Sequence, residues 1–572
     1  MIDHDAERRR RLIYRGLPAL GVLALLALAA GAVLGARALS GSERAAHDFT
    51  RAWERRDYAD MHRLLTRAAR SRVGERQLRR TYEEAAATAT ATRVVVSGEL
   101  DESGGAVRVP VQVHTRLFGT IRGELALPVS SERVAWRPHL AFPGLAPGAR
   151  LSRRTQPPER GTLLSRDGKV LAEGPADARR SPLGPLSGSV AGSVSAEETP
   201  AERMALYARG FPRDWPVGQT GLEQAFEADV AGKPGGELIV GGNRVIARAR
   251  PRKARSVRTT IDTRVQKAAV AALAGRFGGI AALDASNAEV RALAGVAYSA
   301  PQPPGSTFKI VTTTAALESK LVKLSTRFPV EQAATIDGVE LENANGESCG
   351  GSFEASFAHS CNSVFAPLGV KLGAERLVSA AERYGFNGRP SLPAELPSTL
   401  PPAAELRTPL ELGSTAIGQG KVLATPLRLA SVAQTVAAEG LRADPTLRSG
   451  ERHRRPLRAT SRHVARTLER LMLDVVAYGT GTAAGIPGVK VAGKTGTAEL
   501  EDTRGPDDEG GTAGESNTDA WFTAYAPASK PRVAVAVMLV RAGAGGATAA
   551  PAARIVLEAG LKSSRARGRA RP

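Results

Sequence analysis

Three short strings carry side chains suited to acyl transfer: Ser306-Thr307-Phe308-Lys309, Ser360-Cys361-Asn362 and Lys494-Thr495-Gly496-Thr497. In the first, Ser306 supplies an alcohol nucleophile, and Lys309 follows three residues later on the same helix face. A lysine amine takes the hydroxyl proton when burial and a neighbouring cation lower its pKa. Ser360 supplies a hydroxyl able to relay a proton to a leaving amine. Asn362 supplies an amide able to orient Lys309 or hold a substrate backbone. Lys494 offers a cation and Thr495 a hydroxyl for a substrate carboxylate, while Gly496 lets another chain approach its strand. The backbone N–H groups of Ser306 and Thr497 are candidates for an oxyanion hole. Alone, each string also fits a bland reading: a helix start, a turn between helices, a strand end. S-x-x-K, S-x-N and K-T-G in this order are the parts of a serine site that works without histidine.

The elements that must position these residues are legible in outline. Pro303-Pro304-Gly305 disfavours helix upstream, so a helix is predicted to open at Ser306, in a positive dipole field. Ile280 to Leu283 and Val290 to Leu293 read as a hairpin. Val489 to Lys494, Ala520 to Ala526 and Val533 to Val540 read as strands, with K-T-G at the end of the first. Helical runs are predicted over 264–273, 376–384, 426–438, 461–476 and 552–561, and all of this reads as one large α/β unit. Upstream, residues 42 to about 84 read as helical and are followed by alternating strand segments, a small α+β domain ending near Pro147. Trp53 and Trp136 read as its core. Residues 153–158 read as a polar linker, Asp167-Gly168 as a hairpin turn, and 174–200 as a loose excursion.

The chain has 572 residues, a length for three or four domains, and a globular composition: 42% hydrophobic and 24% charged. The 78 basic residues outnumber the 57 acidic ones by 21. That excess suits an anionic membrane or wall surface; no nucleic-acid recognition motif accompanies it. Gly16 to Ala36 is an uncharged apolar run of about 31 Å as a helix, enough to cross a bilayer. Arg8 to Arg11 and Arg15 precede it, so the N-terminus is expected in the cytoplasm and the rest outside. The run is read as an uncleaved anchor. A cleaved signal peptide competes, because Ala36-Arg37-Ala38 resembles a cleavage site. Cys349 and Cys361 could pair in an exported chain, or pack as free thiols; the residues leave both open. No metal-binding spacing is present, and no cofactor is expected.

The C-terminal half resembles the transpeptidase domain of class B penicillin-binding proteins. Ile417-Gly418-Gln419-Gly420, Tyr478-Gly479-Thr480-Gly481-Thr482 and Asp519-Ala520-Trp521-Phe522 add to the three strings. Arg160-Gly161 through Ala172 and Gly221-Leu222-Glu223 resemble the family's non-catalytic pedestal. Residues 42–147 resemble the cone-shaped, nuclear-transport-factor-like extension of methicillin-resistance-type members. The resemblance implies an α+β multidomain chain: cytoplasmic segment 1–15, single transmembrane helix 16–36, extension 42–147, β-rich pedestal or dimerisation domain 148–258, β-lactamase-like transpeptidase domain 259–562 and a disordered basic tail 563–572. It implies peptidoglycan stem peptides ending in D-Ala-D-Ala as substrate. β-Lactams are implied as acylating mimics and a separate glycosyltransferase as a partner, on a single-pass protein of the bacterial membrane. Ser306, Lys309, Ser360, Asn362 and Lys494 would be catalytic. Lys494, Thr495 and Thr497 would seat the carboxylate, with Gly496 beside them. A D,D-carboxypeptidase, a β-lactamase-like hydrolase and a non-catalytic wall-binding scaffold are the competing readings. The class A deacylation motif E-x-x-x-N has no counterpart: Asn387 is the only asparagine between Asn362 and Lys494, and position 383 is arginine. The polar loop from Glu501 to Thr518 is expected to flank the cleft, as a gate to be tested.

Overall fold

The structure is a computed structural model, and it describes residues 39–499 and 517–569. The expected anchor at 16–36 and most of the 501–518 loop lie outside the described residues. Among those described, no helix is long and apolar enough to cross a membrane. The chain divides into two compact units.

The first unit holds the described residues up to Pro157, together with Glu198–Arg213 and Pro234–Pro251. Helices Gly41–Glu54, Tyr58–Arg63, Arg67–Arg72 and Glu75–Ala89 precede an antiparallel sheet built mainly of Ala91–Val96, Ala106–Thr115 and Thr120–Ser130. Val107, Val109, Val111 and Val113 are buried at every second position, the period-two pattern of a sheet with one face on a core. Trp53 and Trp136 are core residues, as expected, and Trp136 Nε1 donates to the buried Tyr82 hydroxyl at 3.1 Å. The stretch expected as a linker is instead the strand Leu151–Gln156, paired antiparallel with Gly235–Val240. Arg153 anchors it by donating to the carbonyls of Ala87, Thr88 and Tyr207. The pedestal expected at 148–258 is therefore divided, since its strands Gly235–Val240 and Arg244–Ala249 belong to the first unit.

The second unit holds Pro158–Glu197, Asp214–Lys233 and the chain from Arg252 onward. The expected hairpin at Asp167-Gly168 is present as Leu163–Leu164 and Val170–Ala172. Residues 174–200 are not a loose excursion: they contain the helix Pro185–Ala191 and the short strand Val194–Ser195. Arg160 and Glu223 form a fully buried ion pair at 2.7 Å, with Arg179 and Glu227 attached. A five-stranded antiparallel sheet centres the unit, in the order Val290–Gly295, Gly278–Asp284, Val533–Leu539, Thr518–Ala526, Ala492–Glu499. Its central strands are buried on both faces. Trp521, Tyr525, Ala534, Ala536 and Met538 point into one core, with helices Lys309–Glu318, Pro426–Ala437 and Arg462–Ala477. Phe522, Ala524, Val535 and Val537 point into the other, with Thr263–Leu273 and Ala549–Arg569. That last helix corrects the expected disordered tail, because helical backbone continues to Arg569. Alanine and arginine extend an established helix at little cost.

Candidate active site

Ser306 lies in a single 3-10 turn, Gly305–Phe308, rather than in the first α-helical turn; the helix proper runs Lys309–Glu318. The first eight residues of this helix, Lys309 to Ala316, are all buried, so it runs through the core and offers its start to the cleft. Gly305 has φ +51°, and a Cβ there would lie 2.4 Å from the Thr497 carbonyl oxygen. Both the conformation and the space require glycine. The Gly305 N–H donates to the Gly418 carbonyl at 3.0 Å. The Ile417-Gly418-Gln419-Gly420 string thus braces the serine turn from behind, a role the sequence alone did not assign.

K-T-G is not at the end of its strand, as expected, but inside it: the edge strand Ala492–Glu499 carries all four residues. Gly496 is close-packed by neighbours, since a Cβ would lie 2.7 Å from the Pro304 carbonyl oxygen and 3.0 Å from Trp521 Cβ. The strand and the serine turn therefore meet backbone to backbone, with Ser306 partly exposed between them.

The middle string bends sharply. Ser360 has φ +64°, an uncommon conformation for a non-glycine residue that functional sites often hold. Cys361 is disulfide-bonded to Cys349, with Cα atoms 5.4 Å apart, so the open question of pairing is answered in favour of a bridge. Ser360 and Asn362 flank this anchor.

The bend brings both lysines together. Lys309 Nζ donates to the Ser360 carbonyl at 2.6 Å and to Asn362 Oδ1 at 2.7 Å, with Ser360 Oγ at 3.3 Å. Asn362 is fixed in turn by donating to the Glu342 carbonyl at 2.6 Å. Lys494 Nζ donates to Ser360 Oγ at 2.7 Å and to the Thr495 carbonyl at 3.2 Å. Both lysines are fully buried. Burial first, then the Lys494 charge, holds the Lys309 amine well below the ordinary lysine range. Burial brings Lys494 down to about 7. A neutral amine has two N–H groups, and the two short contacts of Lys309 occupy both, which leaves its lone pair for a hydroxyl proton. Among the described residues no direct hydrogen bond joins Ser306 to Lys309; Ser360 and Asn362 hold the amine instead.

Several participants carried no role in the sequence reading. Phe365 and Phe357 lie beneath the two amines, with ring centroids 5.2 Å from Lys309 Nζ and 5.6 Å from Lys494 Nζ. The aromatic run Phe353, Phe357, Phe365 around S-C-N was the available signal. Thr480 Oγ1 lies 2.5 Å from Thr495 Oγ1. Gly545 N–H donates to Thr497 Oγ1 at 3.3 Å, and a Cβ on Gly545 would lie 2.2 Å from the Gly496 carbonyl oxygen. Arg383, at the position a class A deacylating glutamate would take by spacing, donates instead to the Ala459 carbonyl at 2.8 Å and pairs with Glu318.

Residues 278–558 match the penicillin binding protein transpeptidase domain family. The peptidoglycan D,D-transpeptidase PbpA of Mycobacterium tuberculosis is 36% identical over 295 residues, which cover 46% of this chain and 56% of that protein. The chain thus spans about half the length of the curated relatives it matches. The D,D-transpeptidase domain of a peptidoglycan glycosyltransferase from Eggerthella lenta is similar in structure, with TM-score 0.58 and 28% identity over 72% of this chain and 99% of that one. A penicillin G acyl-enzyme complex of penicillin-binding protein A from M. tuberculosis has TM-score 0.56 and 28% identity, over 71% of this chain and 100% of that one. With the serine turn, the S-C-N bend and the K-T-G edge strand brought together around two buried lysines, residues 278–558 of this chain form a penicillin binding protein transpeptidase domain.

Proposed function

We propose that this protein is a peptidoglycan D,D-transpeptidase that cross-links stem peptides through an acyl ester on Ser306. The observation that carries the reading is the buried Lys309 amine, held by the Ser360 carbonyl and Asn362 Oδ1 one turn beyond Ser306. In this reading Ser306 Oγ attacks the penultimate D-Ala carbonyl as its proton passes to Lys309 Nζ. The Ser306 and Thr497 N–H groups receive the oxyanion. The peptide C–N bond then breaks, and the Ser360 hydroxyl hands a proton to the departing D-Ala amine. Lys494, Thr495 and Thr497 seat the terminal carboxylate. A neighbouring stem's amine finally attacks the ester, forming an amide and restoring the Ser306 hydroxyl. β-Lactams acylate Ser306 as mimics of the same terminus, as penicillin G does in the related acyl-enzyme.

The same proposal places residues 16–36 in the bacterial membrane with the two units outside. It reads the first unit as the family's extension domain and gives glycan synthesis to a separate glycosyltransferase. A D,D-carboxypeptidase differs only in using water as acceptor, so the second reading stays close to the first. The test is a gel with fluorescent penicillin on wild type and Ser306→Ala. Covalent label on wild type and none on the variant is expected. Label on neither would make the chain a binding module, and label shed within seconds would make it a hydrolase.

A further inference from the structure

Resting on the transpeptidase reading, we propose that the exposed rings of Tyr478 and His359 form the platform on which the acceptor stem lies, and so determine acceptor use.

The terminal carboxylate belongs to the D-Ala that departs. Beyond its seat there is no more donor peptide to contact. The acceptor amine must arrive where the departing amine left, because aminolysis of the ester runs back along the same line. In that step the neutral amine nitrogen bonds to the acyl carbon and the Ser306 C–O bond breaks. One amine hydrogen ends on Ser306 Oγ, and the other stays on the new amide. The chain carrying that amine therefore takes the space of the departed D-Ala and then crosses whatever borders the carboxylate seat.

Two segments form that border. Thr480 touches the seat through its hydroxyl, 2.5 Å from Thr495 Oγ1. Its N–H donates to the Ala358 carbonyl at 3.1 Å, which ties the turn at 478–482 to the residues just before Ser360. A Cβ on Gly479 would lie 2.3 Å from that same carbonyl oxygen, so the two segments are clamped backbone to backbone. From this rigid base project His359, next to Ser360, and Tyr478, two residues from Thr480. Their ring centroids are 6.1 Å apart at 53°. Tyr478 is 50% exposed and His359 is exposed. Neither ring is used by the steps at Ser306. Paired rings held in water on a stiff support gain when a chain covers them. Glu354, which pairs with Arg470 at 2.7 Å, lies on the helix that leads to His359. The visitor that covers the rings is the peptide chain carrying the acceptor amine.

The experiment uses the full chain with a D-alanyl thioester as donor and a lysine-bearing tripeptide as acceptor. It compares transfer to the amine with acylation by fluorescent penicillin. Tyr478→Ala is expected to lower transfer relative to acylation by about tenfold, through the acceptor KM, while Tyr478→Phe restores most of the loss. His359→Ala should move the ratio in the same direction. Transfer and acylation falling in proportion, or a ratio unchanged in all variants, overturns the platform. A wild type that takes no penicillin label overturns the transpeptidase reading itself, separately from the platform.

Discussion

At the residue scale the decisive fact is two lysines sharing one serine hydroxyl in a buried site. Two cations cannot both stay charged there, because burial opposes each and each opposes the other. Lys309 is held well below its ordinary range and Lys494 at about 7. Below that value Lys494 carries the proton, and Lys309, penalised by the Lys494 charge, is free to act as base. Above it Lys494 loses the charge that would attract a carboxylate. The second-order rate of acylation by an anionic β-lactam reports the free enzyme. It is expected to fall on a basic limb centred near pH 7, and Lys494→Arg should move that limb upward by more than about two pH units, since arginine stays protonated. A flat profile from pH 6 to 9 would remove Lys494 from this role.

At the element scale, two tight joints hold the constellation. One is the contact of the serine turn with the edge strand, where Gly305 and Gly496 permit backbone approach. The other is the disulfide that fixes the S-C-N bend. The bridge closes a loop of about 13 residues, worth about 3 kcal/mol in the unfolded chain. Replacing Cys349 and Cys361 together with alanine is expected to cost about that much in chemical denaturation followed by tryptophan fluorescence. Acylation should fall under conditions where the double variant is still folded, because Ser360 and Asn362 lie on either side of Cys361. A variant that loses stability but acylates at the wild-type rate would show that the bend holds itself.

At the scale of the whole molecule, the chain leaves and re-enters each unit. Glu198–Arg213 and Pro234–Pro251 belong with the first unit although they lie between segments of the second. The strand Gly235–Val240 has Leu151–Gln156 on one side and Arg244–Ala249 on the other, and its Leu238 is buried in the first unit's core. A chain beginning at Pro158 would strand these segments with an open strand edge and a bare apolar face. Its soluble yield is expected to be several-fold lower than that of a chain in which 198–213 and 234–251 are also replaced by short Gly/Ser links. Equal yields would show that the inserted segments need no first unit.

That Lys309, Ser360, Asn362 and Lys494 belong together beside the Ser306 turn was readable from residue types and order, because acyl transfer without histidine admits few side-chain sets. The hairpin at Asp167-Gly168, the buried tryptophans and the alternating strands followed from local patterns of apolar and turn residues. Three things did not. Leu151–Gln156 is polar by composition and is a strand only because Gly235–Val240, far along the chain, supplies its hydrogen bonds. K-T-G lies inside its strand because Thr518–Ala526 pairs along its whole length. The grip on Lys309 depends on a carbonyl and an amide delivered by a bend whose anchor is a second cysteine. Local sequence sets which groups exist and which conformations are cheap. Contacts between residues distant in the chain decide which of those groups share a dry site, and the low dielectric of that site favours the neutral, unprotonated Lys309 amine.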